Sequence, residues 1–417
     1  MKNTIKLMIA LILALSLGII TSSTKNPILL NLVKWIEPVG AIWIGFLRMT
    51  ILPLVIALLI TAITGMGKTK SFGPLMKKTA IVFLALNFLM IAVTLLVVPP
   101  LLKLIPSSVA MPLSIKNDAG VNSNAPISFV KELLSWIPLN PFQSAAEGAI
   151  MPLIIFSIFL GLALNHVADA SKNTVVQFLR GFSDAMLVIV GWLFIVAPVG
   201  IFAVVFPLIC QMGTGLVGAL AYYVLIVVIN AIACMLMLYV TTIFFSGQSI
   251  RRFAAASLQP QVIVIGTQSS VATLPAMITA AEQRLKISPQ ITSPVLTLAV
   301  SVFRAGSVGG LIIYALFTAH LYHINFSFSQ MTTVVVISFL ANIASIGIPS
   351  AASFFAPVTT LFQAIGLPFE MIAVLFAVDT IPDVTEGVAN VTGDMAAVAI
   401  VAKSFKEIPM AEPYELV

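Results

Sequence analysis

Four carboxylates and one amide stand near the C-terminus at a spacing that lets them act together: Asp379, Asp383, Glu386, Asn390 and Asp394. At about 100° per residue they fall within a sector of roughly 80° on a single helix face. Acids grouped in this way can hold a cation, share a proton, or bind the cationic or hydroxyl groups of a solute. The flanking segments, Met371 to Ala377 and Met395 to Ala402, are apolar, so this face is not the wet side of a soluble helix. A charge at mid-bilayer costs about 2.5–3.5 kcal/mol on insertion scales. Such residues therefore face a polar interior, a partner charge or a ligand. In the C-terminal half the other full charge inside an apolar segment is Arg304. Four acids against one arginine leave an excess of negative charge, which a proton or a bound cation would offset.

The elements that position these groups must be helices in lipid. The chain has 417 residues, of which 60% are hydrophobic and 9% charged, and its mean hydropathy is +1.11. A soluble domain carries about 25% charged residues. An outer-membrane barrel would alternate apolar and polar residues in short runs, whereas the apolar stretches here are long and continuous. The net charge of +6 is not a nucleic-acid footprint, because the basic residues gather at span ends. Lys2 and Lys6, then Lys68, Lys70, Lys77 and Lys78, then Arg251, Arg252, Arg284 and Lys286, and finally Lys403 and Lys406 all fit one membrane face. The positive-inside rule places that face and both termini in the cytoplasm, as expected of a multi-pass protein of the cell (inner) membrane.

The first 23 residues have the lysine-rich start and apolar run of a signal peptide, but no A-x-A cleavage site follows, and a retained first helix is expected. Cys210 and Cys234 lie in apolar segments and read as small hydrophobes. His166, His320 and His323 stand at span ends and form no metal set. No cofactor, no metal and no enzymatic activity are expected, since no Ser/His or His/Glu catalytic spacing falls within a span. Arg48, in the second span, reads as a residue that snorkels to an interface or caps a packing contact.

Apolar spans are expected over 5–23, 38–66, 78–105, 148–168, 184–210 and 216–246. Beyond them, 250–285 and 328–366 are broken at their centres by polar residues, Gly and Pro, at Gly266 to Pro275 and Ala344 to Ser353. Each half is too short for a bilayer of about 30 Å, so both segments are expected to be re-entrant helical hairpins. Backbone that turns inside a membrane must be buried in protein or line a cavity, and paired hairpins point to a transporter core with inverted repeats. Between them, a span over 290–322 is interrupted at Phe303 to Gly310, where Arg304 and three glycines suggest unwinding. The carboxylate row lies on the last span, 368–404. The more polar stretch 106–147 reads as an exposed connection. The fold expected is thus an all-α polytopic membrane protein, with about eight transmembrane helices plus two re-entrant hairpins.

The motifs along nearly the whole chain resemble those of the dicarboxylate/amino acid:cation symporter family, the glutamate-transporter homologues. Phe46-Leu47-Arg48-Met49 with Leu52-Pro53-Leu54-Val55 resembles the family's second span. Ile137-Pro138-Leu139-Asn140-Pro141-Phe142, Met151-Pro152 and Gly161-Leu162-Ala163-Leu164 resemble its fourth, and Ala197-Pro198-Val199-Gly200-Ile201-Phe202 its fifth. Ser269-Ser270 with Thr273-Leu274-Pro275 is similar to the first hairpin tip. Asn390-Val391-Thr392-Gly393-Asp394 with Ala399-Ile400-Val401-Ala402-Lys403 is similar to the last helix. The resemblance implies a homotrimer working as an elevator. It implies a scaffold in 1–70 and, after an exposed loop, in 106–213, and a transport domain in 71–105 and 214–417. The second hairpin, with Gly347, Ile348 and Pro349 at its tip, would be the extracellular gate.

Position by position, Ser270, beside Ser269, matches the hairpin serine that holds a substrate carboxylate. Asp383 matches the aspartate that binds the substrate amino group, Asn390 a residue contacting the substrate backbone, and Asp394 a sodium ligand. Three departures alter what the resemblance implies. Phe303-Arg304-Ala305-Gly306-Ser307 stands where the family carries Asn-Met-Asp-Gly-Thr, so a sodium-binding Asn and Asp are replaced and a fixed cation is introduced. Glu386 stands where the family has an arginine that pairs with a side-chain carboxylate. The second hairpin tip is about three residues shorter than the family's. The expected function is a secondary active symporter for a small carboxylate-bearing solute, coupled to protons, with Glu386, Asp379, Asp394 and Arg304 as coupling residues. A sodium-coupled dicarboxylate or glutamate-type symporter and a cation-conducting channel are the alternatives. Glu386 reads either as a proton carrier, as a ligand for a cationic or hydroxylated group, or as a structural partner of Arg304. Arg304 reads either as an ion substitute or as a substrate anchor.

Overall fold

A computed structural model of the chain describes residues 2–66, 73–105, 134, 136–212, 214–344 and 350–405. Among the described residues the chain is helical throughout, with no strand, which is how lipid-embedded backbone satisfies its polar groups without water. Among the described residues six helices are long and apolar enough to cross a membrane: Pro27–Thr61, Pro74–Leu102, Asp169–Leu193, Gly215–Ser246, Pro289–Leu321 and Thr380–Lys403. Shorter apolar helices accompany them, among them Ile9–Thr24 and Met151–Leu164.

The chain divides into two compact units. The first comprises 1–68, 95–228 and 310–382; the second comprises 69–94, 229–309 and 383–417.

In the first unit, α1 (Lys2–Thr24) packs on α7 (Ala197–Met212). The 40-residue α2 (Pro27–Met66) packs on α5 (Ile150–Leu164), α6 (Asp169–Ile195) and α7. Trp43 of α2 occupies a notch that only a glycine permits: a Cβ on Gly200 would lie 2.2 Å from its ring, and its Nε1 donates to the Leu193 carbonyl at 3.2 Å. The short α4 (Pro141–Ala146) starts on Asn140, whose side chain accepts from the amides of Phe142 and Gln143. The span expected over 184–210 is divided. It breaks at Val196, between α6 and α7, because Pro198 brings no N–H to the helical ladder. Arg48 makes a packing contact: its guanidinium lies 3.8 Å from the centre of the Phe369 ring, a cation–π contact.

Both broken segments form the expected helix pairs. The first hairpin is α9 (Ile250–Thr267) and α10 (Ser270–Gln283), packed on one another in the second unit. Their 18 and 14 residues rise only about 27 and 21 Å, short of a bilayer core. The second hairpin is α13 (Phe328–Ala344) and α14 (Ser350–Ile365), whose arms pack on one another and on α2 in the first unit. Its tip, with Gly347, Ile348 and Pro349, lies outside the described residues.

The remaining second-unit elements are most of α3 (Gly73–Leu102), most of α8 (Thr214–Ser246), α11 (Pro289–Val302), the first turn of α12 (Ala305–Leu321) and most of α16 (Thr380–Lys403). Two expectations are corrected here. The unwinding between α11 and α12 is confined to Phe303 and Arg304, with Phe303 in extended conformation (φ −118°, ψ 110°). Gly306, Gly309 and Gly310 lie inside α12, and Gly306 and Gly309 serve close packing instead. The last span is also not one helix: α15 (Glu370–Val378) ends at Asp379 and α16 begins at Thr380. Pro382 in the first turn of α16 has no N–H for the Val378 carbonyl, which accounts for the break.

Candidate solute and cation site

The site is built where the first turn of α12 meets α16. A helix start leaves its first amides without intrahelical partners, and α12 starts inside protein, where water cannot serve them. Asn390 of α16 does so. Its Oδ1 accepts from the Gly306 amide at 2.7 Å and from the Ser307 amide at 3.3 Å, and its Nδ2 donates to Ser307 Oγ at 3.0 Å. The Asn390 side chain is therefore a cap supplied by another helix, with one amide N–H remaining for further use.

The two helices are close because their facing residues are small. A Cβ on Gly306 would lie 2.6 Å from the Glu386 carbonyl oxygen and 2.8 Å from Ala389 Cβ. A Cβ on Gly393 would lie 3.0 Å from Ala305 Cβ and 3.2 Å from the Phe303 ring. Phe303 stacks on Phe83 of α3 at a centroid distance of 4.5 Å, giving the break an apolar wall. One turn into α12, Gly309 admits Thr94 of α3 and Asn230 of α8, whose polar atoms lie 2.7 and 2.9 Å from where its Cβ would be.

Charge converges on this junction. Arg304, at the break, acts electrostatically on both Asp383 and Asp394. Asp394 is 0% exposed, and neither of its oxygens has a hydrogen-bond partner among the described residues. An ionised carboxylate in such a place requires a counter-charge, a bound cation or a proton. Glu386 is buried as well, at 8% exposure.

The first hairpin joins the same unit. Gln261 Nε2 donates to Thr392 Oγ1 of α16 at 2.8 Å, and Gly387 lies beneath Val264. The hairpin link is two residues long: Gln268 in left-handed conformation (φ 50°) and Ser269, whose Oγ accepts from the Ala272 amide and caps α10. Ser270 is the first residue of α10, so its amide belongs to a helix N-terminus, where a carboxylate is favoured.

The structure thus brings Arg304, Asp383, Glu386, Asn390 and Asp394 into one unit with Ser269 and Ser270. Asp379 belongs to the first unit, where its Oδ1 accepts from Tyr314 Oη at 2.9 Å. Sequence reasoning missed Tyr314, Gln261 and Ser307. No local pattern marks the first two, and Ser307 stood in plain view beside the glycines without its partner being evident.

Comparison with known proteins follows the same lines. The profile of the sodium:dicarboxylate symporter family matches residues 4–404. The proton/sodium-glutamate symport protein of Bacillus caldotenax is 26% identical, over 94% of this chain and 92% of that protein. The proton/glutamate-aspartate symporter of Escherichia coli (strain K12) is 28% identical, over 97% and 94%. The neutral amino acid transporter B(0) of Bos taurus is 30% identical, over 61% of this chain and 47% of that protein.

Proposed function

The chain belongs to the sodium:dicarboxylate symporter family, and from that premise we propose that it is a proton-coupled, sodium-independent symporter for a small carboxylate-bearing solute. The observation that carries this reading is Arg304 at the break between α11 and α12, where its charge acts on Asp383 and Asp394. A guanidinium keeps its proton in proteins. A fixed +1 charge beside these acids replaces a cation that would otherwise bind and leave. Glu386 then carries the transported proton. Asp394, fully buried, has the arginine as its counter-charge.

The solute carboxylate lies at the N-terminus of α10, by Ser269 and Ser270, and Asp383 receives its amino group. Relatives named for glutamate, aspartate and neutral amino acids support an amino acid ahead of other organic acids. Glu386 disfavours a second carboxylate on the solute, so a neutral or cationic amino acid fits best. In this reading spans three, six, seven and eight move with both hairpins as an elevator, against a scaffold of spans one, two, four and five. The second hairpin, around Gly347, Ile348 and Pro349, is the outer gate. The protein is a homotrimer of the inner membrane with both termini cytoplasmic.

Retention of Asp394, which matches a family sodium ligand, favours a second reading in which sodium remains the coupling ion. One experiment separates the two. Purified protein in liposomes is given an inside-alkaline pH gradient and a panel of amino and organic acids, with and without sodium. Saturable uptake in sodium-free medium supports proton coupling, and uptake that collapses without sodium overturns it. Thermal stabilisation by individual solutes identifies the ligand independently of coupling.

A further inference from the structure

Away from this site, the second unit carries a groove of about 660 Å³ that runs along α11 from Gln290 to Ser301, with Met76 near the start of α3 on its wall. That volume is within the usual range of small-molecule sites, about 300–1,000 Å³. Met76, Pro294 and Leu298 form an apolar wall; Gln290, Ser293 and Thr297 form a polar edge. The hydroxyls do not oblige the groove to hold water. Ser301, at its far end, donates to the Thr297 carbonyl of its own helix at 2.7 Å, the way hydroxyls are accommodated beside alkyl chains.

At one end of the groove Met76 and Gln290 lie near the starts of their helices, and their neighbours in the chain are basic. Lys77 and Lys78 follow Met76 directly, and Arg284 and Lys286 lie just before α11. Arg252, at the start of α9, donates from Nε to the Arg284 carbonyl at 2.8 Å and so belongs to the same rim. In 73–94 and 248–290 the single acid is Glu282, and it is engaged by Thr292 Oγ1 at 2.7 Å. The positive-inside rule explains basic residues at this face. It does not explain an apolar trough leading from them along a helix. A trough for an alkyl chain that ends in a cationic rim is complementary to an amphiphile with an anionic head, and basic pockets between helices at the cytoplasmic surface bind such head groups.

We propose that this groove holds one anionic phospholipid, its head group on the Lys77, Arg284 and Lys286 rim and an acyl chain along Met76, Pro294 and Leu298. The binding claim is independent of substrate and coupling ion, because it is read without transport. Full-length protein taken from bilayers of phosphatidylcholine with phosphatidylglycerol is examined by native mass spectrometry. Wild type is expected to retain phosphatidylglycerol over phosphatidylcholine. Leu298→Trp, which fills the trough, and Lys77→Gln with Lys286→Gln, which strips the rim, should each lose about tenfold in that retention while keeping the wild-type unfolding midpoint in detergent. If one variant misfolds, the other still decides. Equal retention of both lipids, undiminished retention in either folded variant, or displacement by glycerol phosphate as effective as by the whole lipid overturns the assignment.

Discussion

Asn390 Oδ1 accepts hydrogen bonds from the amides of both Gly306 and Ser307, so one side chain of α16 closes the open start of α12. The break that exposes Arg304 thus stays ordered through a residue 83 or 84 positions away in the chain.

Replacing that cap leaves two buried amides without an acceptor. Asn390→Ala should cost about 1–3 kcal/mol, seen as a lower unfolding midpoint of the purified protein. Ser307→Ala, which removes only the hydroxyl, should cost about 1 kcal/mol or less. Equal midpoints for wild type and Asn390→Ala would show that the amides find other partners.

Gly306→Ala should be more severe than its one methyl suggests. The new Cβ would meet the Glu386 carbonyl at 2.6 Å, so α12 and α16 must separate, with an overpacking cost of about 1–3 kcal/mol. Transport should fall along with stability. Gly181→Ala, in α6, where a Cβ meets nothing, is the control and should behave as wild type.

Arg304 and Asp394 should prove coupled. Arg304→Gln alone leaves the acids without their fixed counter-charge and should lower both stability and uptake. Adding Asp394→Asn should restore part of the stability, with an interaction of about 0.5–3 kcal/mol in the double-mutant cycle. Strict additivity would disconnect the two residues.

Gln268 tests the first hairpin turn. It holds a left-handed backbone, φ 50°, which costs an ordinary residue about 1–2 kcal/mol and costs glycine little. Gln268→Gly should be neutral or stabilising in thermal unfolding. Gln268→Val should be destabilising, because a branched Cβ tolerates this region worst. The reverse order would mean that the amide side chain itself holds the tip.

Glu386→Gln should separate solute movement from proton movement. The variant should still exchange labelled solute between the two sides of a liposome, yet lose net uptake driven by a pH gradient. Gradient-driven uptake at the wild-type rate would remove Glu386 as the proton carrier.

Much of this protein was written locally. Sixty per cent apolar residues with nine per cent charged leave lipid as the solvent and helices as the structure, since no other open-chain form pairs its own backbone there. The hairpins were legible because Gly, Pro and polar residues interrupt apolar runs at half a bilayer's length. The carboxylates were legible because a charge in lipid must have a reason. The break in the last span could also have been read: Pro382 announces it, and the helical count from Asp379 onward overlooked it.

What only the tertiary structure decided is which partner each polar group takes. That Asn390 caps α12, that Tyr314 binds Asp379, and that Gln261 ties the first hairpin to Thr392 depend on residues separated by 84, 65 and 131 positions. Hydrogen bonds of that range leave no periodicity behind. The glycines after Arg304 show the same limit. Read along the chain they suggested unwound backbone; in three dimensions they remain helical and are small because the last helix, Thr94 and Asn230 press against them. A missing side chain states that something is close, and only the fold says what.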